Sequence, residues 1–200
     1  EELTEAWEGT LESIFPSETP SKDADSIIAP QTADCSLEKR KVEGTPRVFI
    51  PIFPGTNCEY ETEHVFVDAG ADVHTRLFTN YNEGAIQSSI TAFVEHINAA
   101  NIVMIPGGFS AGDEPDGSAK YIVSVLKNPQ IKDAVHAFLK RGGLMLGICN
   151  GFQALVKSGL LPYGEIRDLD ESSATMTFNS IGRHISQTAQ VQVKSSKSPW

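Results

Sequence analysis

The sequence predicts an α/β domain: a mostly parallel sheet flanked by helices, with an antiparallel extension. Three observations predict it. Short apolar runs at Arg47–Phe53, Asp72–Phe78, Asn101–Pro106 and Leu144–Ile148 read as buried strands. Longer segments with helical spacing alternate with them, the order of βαβ units. After Leu161-Pro162 the pattern changes, and Thr175–Asn179, His184–Thr188 and Gln190–Lys194 alternate like antiparallel strands. A parallel sheet of this kind gathers its functional groups at the carboxyl ends of the strands.

Taken in order, residues 1–44 read as an acidic linker or the tail of a preceding domain, and residues 45–200 as the domain proper. The first segment holds 11 acids and 4 bases, a net charge of −7, against −3 for the remainder. Trp7, Leu11, Ile14 and Phe15 fit one short amphipathic helix, which Pro16 and Pro20 end. Pro51 sits awkwardly inside the first strand, because it lacks the N–H a ladder needs. Pro54-Gly55-Thr56-Asn57 is a turn, with Thr56 or Asn57 expected to cap a helix reaching about Ala69, closed by Gly70. A second helix is expected over Glu83–Asn98. The third strand runs into a Gly-rich loop, GGFSAGDEPDGSAK. A helix or helix pair, broken near Pro129, covers Tyr121–Lys140, and Gly151–Ser158 starts a further helix. Lys197-Ser198-Pro199-Trp200 brings no closing helix, so a partial domain lacking its C-terminal end is expected.

Composition narrows the function classes. A hydrophobic fraction of 40% over 200 residues suffices for one core of ordinary size. The net charge of −10 argues against a nucleic-acid partner, which calls for a basic patch or stripe. No run is long and apolar enough to span a membrane, and Glu1-Glu2-Leu3-Thr4-Glu5 is no secretion signal. Cys35, Cys58 and Cys149 are far apart and form no CxxC pair. We read them as free thiols of a reducing, cytoplasmic compartment, with neither a disulfide framework nor a metal site.

The chemistry concentrates in Gly143-Leu144-Met145-Leu146-Gly147-Ile148-Cys149-Asn150-Gly151-Phe152-Gln153. Gly147 and Gly151 flank Cys149 at two residues on each side, the spacing of a nucleophile elbow. A strand turning directly into a helix crowds the apex residue against its neighbours, and glycine relieves that crowding. The apex side chain then stands out at the top of the sheet. The new helix points its first N–H groups at the sulfur, which favours a thiolate. The N–H of Asn150 is placed to stabilise an oxyanion. An isolated Cys is usually a small buried hydrophobe, but here a strand, two glycines and a helix start coincide. Pro106-Gly107-Gly108-Phe109-Ser110 follows the third strand, and its glycines let backbone approach a ligand. If the third and fourth strands are neighbours, Gly108 and Asn150 supply the two donors of one oxyanion hole. Pro54-Gly55-Thr56-Asn57-Cys58 opens onto the same edge, with Cys58 lining the site or serving structure.

Together, GICNGFQ (Gly147–Gln153), PGGFSAGD (Pro106–Asp113) and FPGTNC (Phe53–Cys58) resemble the glutaminase domain of phosphoribosylformylglycinamidine synthases, class I glutamine amidotransferases of purine biosynthesis. The likeness runs from about Thr45 to Trp200. AWEGTLESIFP (Ala6–Pro16) looks like the linker of the large, fused form. The resemblance implies a flavodoxin-like fold and a reaction in which Cys149 attacks the amide carbon of L-glutamine, releases ammonia and leaves a glutamyl thioester for water to cleave. It matches Gly108 and Asn150 to the oxyanion donors. Gln153, Phe109 and Ser110 fall at substrate-binding positions. It also implies a synthetase portion that uses ATP and Mg to turn a formamide into an amidine, while the glutaminase domain itself needs no cofactor.

The sequence departs from that family at the triad. Class I glutaminases carry a His-x-Glu near the domain end, whereas His64, His74, His96, His136 and His184 are followed two residues on by Phe66, Arg76, Asn98, Phe138 and Ser186. All five read as structural. Two rival readings are a DJ-1-like or peptidase-like Cys protein and a non-catalytic docking module. Against the first stands Asn150, where many such proteins place His.

Overall fold

The computed structural model describes residues 2–11, 44–113, 118–176, 179, 181–183, 185, 186, 188 and 200. The chain divides into two compact units, Glu1–Lys41 with Thr177–Trp200, and Val42–Met176. In the first unit, α1 (Glu2–Glu8) continues into a 3-10 turn at Gly9–Leu11. Leu3 and Trp7 are one helical turn apart and both exposed. The remainder of the expected amphipathic stretch, Ile14 and Phe15, lies outside the described residues, as do most of the three segments expected to be antiparallel.

The second unit runs β1 (Arg47–Ile52), β2 (Thr56–Asn57), α2 (Glu59–Asp68), β3 (Asp72–Leu77), α3 (Glu83–Ala99), β4 (Ile102–Ile105), β5 (Gly107–Gly108), α4 (Lys120–Leu126), α5 (Pro129–Lys140), β6 (Leu144–Gly147), α6 (Asn150–Ser158) and α7 (Leu160–Tyr163). The four longer strands form a parallel sheet in the order β3-β1-β4-β6. This is the α/β architecture expected from the alternation of strands and helices. Successive side chains of β1 and β4 turn to opposite faces. Phe49, Val103 and Ile105 join the large core with Ile90, Phe93 and Ile97 of α3, Ile122 of α4, and Ile131, Val135 and Phe138 of α5. Val48, Ile50 and Met104 face the other way, against Phe66 of α2.

Pro51 is accommodated by the direction its nitrogen faces. Arg47 O accepts the Asn101 N–H at 2.8 Å, whereas Pro46 O and Ile52 O accept from Asp72 and Phe78 on the β3 side. Alternate residues of β1 therefore serve alternate neighbours, and Pro51 turns towards β4. Its register with β4 ends at Phe49–Val103, before the imide is reached.

Helix ends follow local chemistry. The Asn82 carboxamide accepts the Ala85 N–H at 2.8 Å at the start of α3, and Asn128 accepts from Gln130 and Ile131 at the start of α5. Pro129 occupies the first turn of α5, where its missing N–H costs nothing, so it marks a new helix rather than a kink. The Arg141 guanidinium donates to the carbonyls of Ile97, Asn98 and Ala100, closing the carboxyl end of α3. One expectation is corrected. The residue before α2 is Cys58, in a left-handed conformation (φ 64) with no side-chain cap. Thr56 does not cap: its hydroxyl accepts the Phe53 N–H at 2.9 Å and closes the preceding turn.

Phe93 is 2% exposed and meets Phe49, Phe53 and Phe78 edge-on, with centroids 5.3–5.8 Å apart. Phe93→Ala is expected to remove about 3–5 kcal/mol of stability, read as a fall in the urea midpoint. His96 lies flat on Phe49 at 5.0 Å. Burial, and then the charge of His74, hold its imidazole below the ordinary 6.5. The unfolded chain binds that proton more tightly, so stability rises with pH between the lowered native value and 6.5 and levels off above it. His96→Asn is expected to shrink the difference in urea midpoint between about pH 5.5 and about pH 7.5.

Candidate active site

Strands β4 and β6 are neighbours, so the loop after one and the turn after the other meet at the carboxyl edge of the sheet. Ile105 pairs with Gly147, and Ile105 O accepts the Ile148 N–H at 3.1 Å. Cys149 stands between β6 and α6 at φ 53, ψ −110, a conformation that costs a non-glycine residue about 1–3 kcal/mol. The neighbouring glycines make the turn possible. A Cβ at Gly147 would sit 2.6 Å from the Gly151 carbonyl carbon, and one at Gly151 would overlap the Ile105 carbonyl oxygen. The thiol is exposed at the amino end of α6. A Cβ on Gly107 would lie 3.9 Å from its Sγ, so only a residue without a side chain leaves that flank of the sulfur open.

The loops after β1 and β4 are zipped together. Thr56 and Asn57 of β2 pair antiparallel with Gly108 and Gly107 of β5. Phe109 N donates to Gly55 O at 2.9 Å, and Ala111 N donates to Pro54 O at 2.6 Å. At φ 118 a side chain on Gly108 would run into the Gly55 carbonyl and, 2.6 Å away, the Asn57 nitrogen. No periodicity marks a two-residue strand, so this ribbon is invisible in the sequence.

Behind the elbow lies a partly buried polar network. Asn150, 2% exposed, accepts the Ser110 N–H at 3.3 Å. Its Nδ2 donates to Asp113 and to Gln153 Oε1, the latter at 3.1 Å. Asp113 also accepts the Ala119 N–H at 2.8 Å and the Ser110 hydroxyl at 3.4 Å. One carboxylate thus joins the Gly-rich loop, the elbow and the residue preceding α4. Nothing in the sequence marks Asp113, because no local pattern announces a contact between residues 37 apart.

The expected site residues fall as follows. Cys149 directly precedes α6, Asn150 and Gln153 lie in its first turn, Gly108 ends β5, and Phe109 and Ser110 follow it. Phe109 is exposed, whereas Ser110 is buried and engaged with Asp113 and Asn150. Cys58 is exposed at the head of α2. His74 bonds Asp72 at 3.0 Å, His96 stacks on Phe49, and His136 accepts the Ile166 N–H at 2.8 Å, while His64 lies on exposed α2.

Residues 45–200 match the family described as the CobB/CobQ-like glutamine amidotransferase domain. The chain belongs to that family. Among individual relatives, it is 35% identical to the phosphoribosylformylglycinamidine synthase subunit PurQ of Dehalococcoides mccartyi, over 65% of this chain and 46% of that protein. It is 34% identical to the subunit of the same name from Methanococcus maripaludis, over 76% of this chain and 54% of that protein. The chain thus spans about half the length of the curated relatives it matches. A chain of the solved structure of PurLQS from Thermotoga maritima aligns at 26% identity and a TM-score of 0.41, covering 59% of this chain and 46% of that one.

The network generates a prediction for this glutamine amidotransferase domain. Asn150→Ala leaves the Ser110 N–H and Asp113 short of a partner, and about 1–3 kcal/mol of stability is expected to go with it. Gly151→Ala, which forces a methyl into the Ile105 carbonyl, is expected to exceed that loss in the same urea titration.

Proposed function

We propose that this domain is the glutaminase part of a phosphoribosylformylglycinamidine synthase. The Cys149 thiolate attacks the side-chain amide carbon of L-glutamine, forming a C–S bond. The tetrahedral intermediate collapses, the C–N bond breaks, and the nitrogen takes up a proton and leaves as ammonia. Water then cleaves the glutamyl thioester to glutamate and restores the thiol. The backbone N–H groups of Gly108 and Asn150 hold the oxyanion. Gln153 and Phe109 line the substrate, and Ser110 serves from behind by fixing Asp113 and Asn150. The ammonia passes to a synthetase portion that uses ATP to convert formylglycinamide ribonucleotide to the amidine. The family membership and the names of the relatives support the pathway.

The observation that carries the reading is the exposed Cys149 thiol on its strained turn, with Gly107 rather than a side chain against one flank. The test is labelling with a chloroketone analogue of glutamine, read by intact mass. One adduct is expected on the wild-type chain and on Cys58→Ser, and none on Cys149→Ser. Equal labelling of Cys149→Ser would refute the assignment. No His-x-Glu occurs in these 200 residues, so we expect adduct formation without appreciable steady-state release of ammonia from glutamine. Rapid ammonia release by the chain alone, in a coupled assay, would count against that expectation.

A further inference from the structure

We infer that Asn57 is a specificity-determining residue whose carboxamide meets the side-chain amide of a glutamine seated on Cys149. The inference rests on the glutaminase reading given above and adds a residue to it.

Asn57 lies directly opposite Gly107, and Thr56 opposite Gly108. Directly opposed residues of an antiparallel pair send their side chains from the same face, with Cβ atoms about 5 Å apart. Gly107 has no side chain, but the direction one would take is fixed by its backbone. It points at Cys149, with the Cβ position 3.3 Å from the Cys149 Cβ and 3.9 Å from the sulfur. The side chain of Asn57 therefore leaves the ribbon towards the thiol, one strand spacing to the side of the gap that Gly107 leaves. Asn57 is exposed, so nothing in its burial keeps a ligand from it.

The distances suit contact through a substrate. A reacting carbon waits about 3–3.5 Å from the nucleophile. A side chain rooted one strand spacing from the Gly107 position, on the same face, is long enough to reach groups attached to that carbon. Asn presents two donors and an acceptor, which complement the acceptor oxygen and donor NH2 of a carboxamide. A carboxylate has acceptors only and leaves the Asn oxygen without a donor. The residue thus favours glutamine over the glutamate that remains after hydrolysis. Its neighbours have other tasks. The Thr56 hydroxyl accepts the Phe53 N–H, and the Cys58 carbonyl accepts both the N–H and the hydroxyl of Thr62 in α2.

The experiment measures how much glutamine, and separately how much glutamate, halves the rate at which iodoacetamide alkylates Cys149, read by peptide mass. Wild type, Asn57→Ala and Asn57→Ser are compared, with urea midpoints to establish that each variant folds. In the variants the glutamine concentration is expected to rise about tenfold, the loss of one well-made hydrogen bond. The glutamate concentration is expected to move little, so the preference narrows. Unchanged glutamine protection in both folded variants overturns the role of Asn57 while leaving the glutaminase reading intact. Failure of glutamine to protect even the wild type overturns that reading, and this one with it.

Discussion

The site depends on one steric constraint: three stretches of backbone at the carboxyl edge of the sheet lie closer together than side chains allow. Gly151 rests against the Ile105 carbonyl, Gly147 against Gly151, and Gly108 against Gly55 and Asn57. The parallel pairing of β4 with β6 brings the first two into contact, and the β2–β5 ribbon secures the third. With these contacts closed, Cys149 can only turn outwards. The conformational cost at Cys149 is met by the large core beneath, in which the Phe cluster and the packed faces of α3, α4 and α5 hold the strands in register.

The polar network is the second half of the same arrangement. Steric fit fixes where the backbone goes, and the Asp113–Asn150 contact fixes how the loop and the elbow are oriented about each other. Buried polar groups are costly unless all are partnered, and a fully partnered set admits few alternatives. The Asn150 side chain is thus structural even where its backbone N–H is assigned a chemical role. Gln153 bonds that same side chain.

What was legible in the sequence divides along physical lines. Strands and helices with strong periodicity fall where expected to within a residue or two, because burial of an apolar face sets both the pattern and the element. The elbow was legible because crowding at a strand-to-helix turn has a local signature in Gly147 and Gly151. The α2 cap was misread. Thr56 has capping chemistry, but the turn before it claims its hydroxyl, and a local rule does not see that competition. Pro51 looked wrong for an inner strand because its direction depends on the neighbour it faces. The β2–β5 ribbon and Asp113 were illegible for a common reason: each is a contact between loops far apart in sequence, with no repeat to announce it.

The bare flank that Gly107 leaves beside Cys149 has a chemical consequence of its own. A flank bare of side chains screens poorly against small molecules, and dissolved peroxide is among the smallest. An exposed thiol at a helix start is the kind that oxidises first, to the sulfenic acid and then beyond recovery. The exposure that leaves the Cys149 sulfur open to a ligand leaves it equally open to oxidants, and a thiol reductant guards against that.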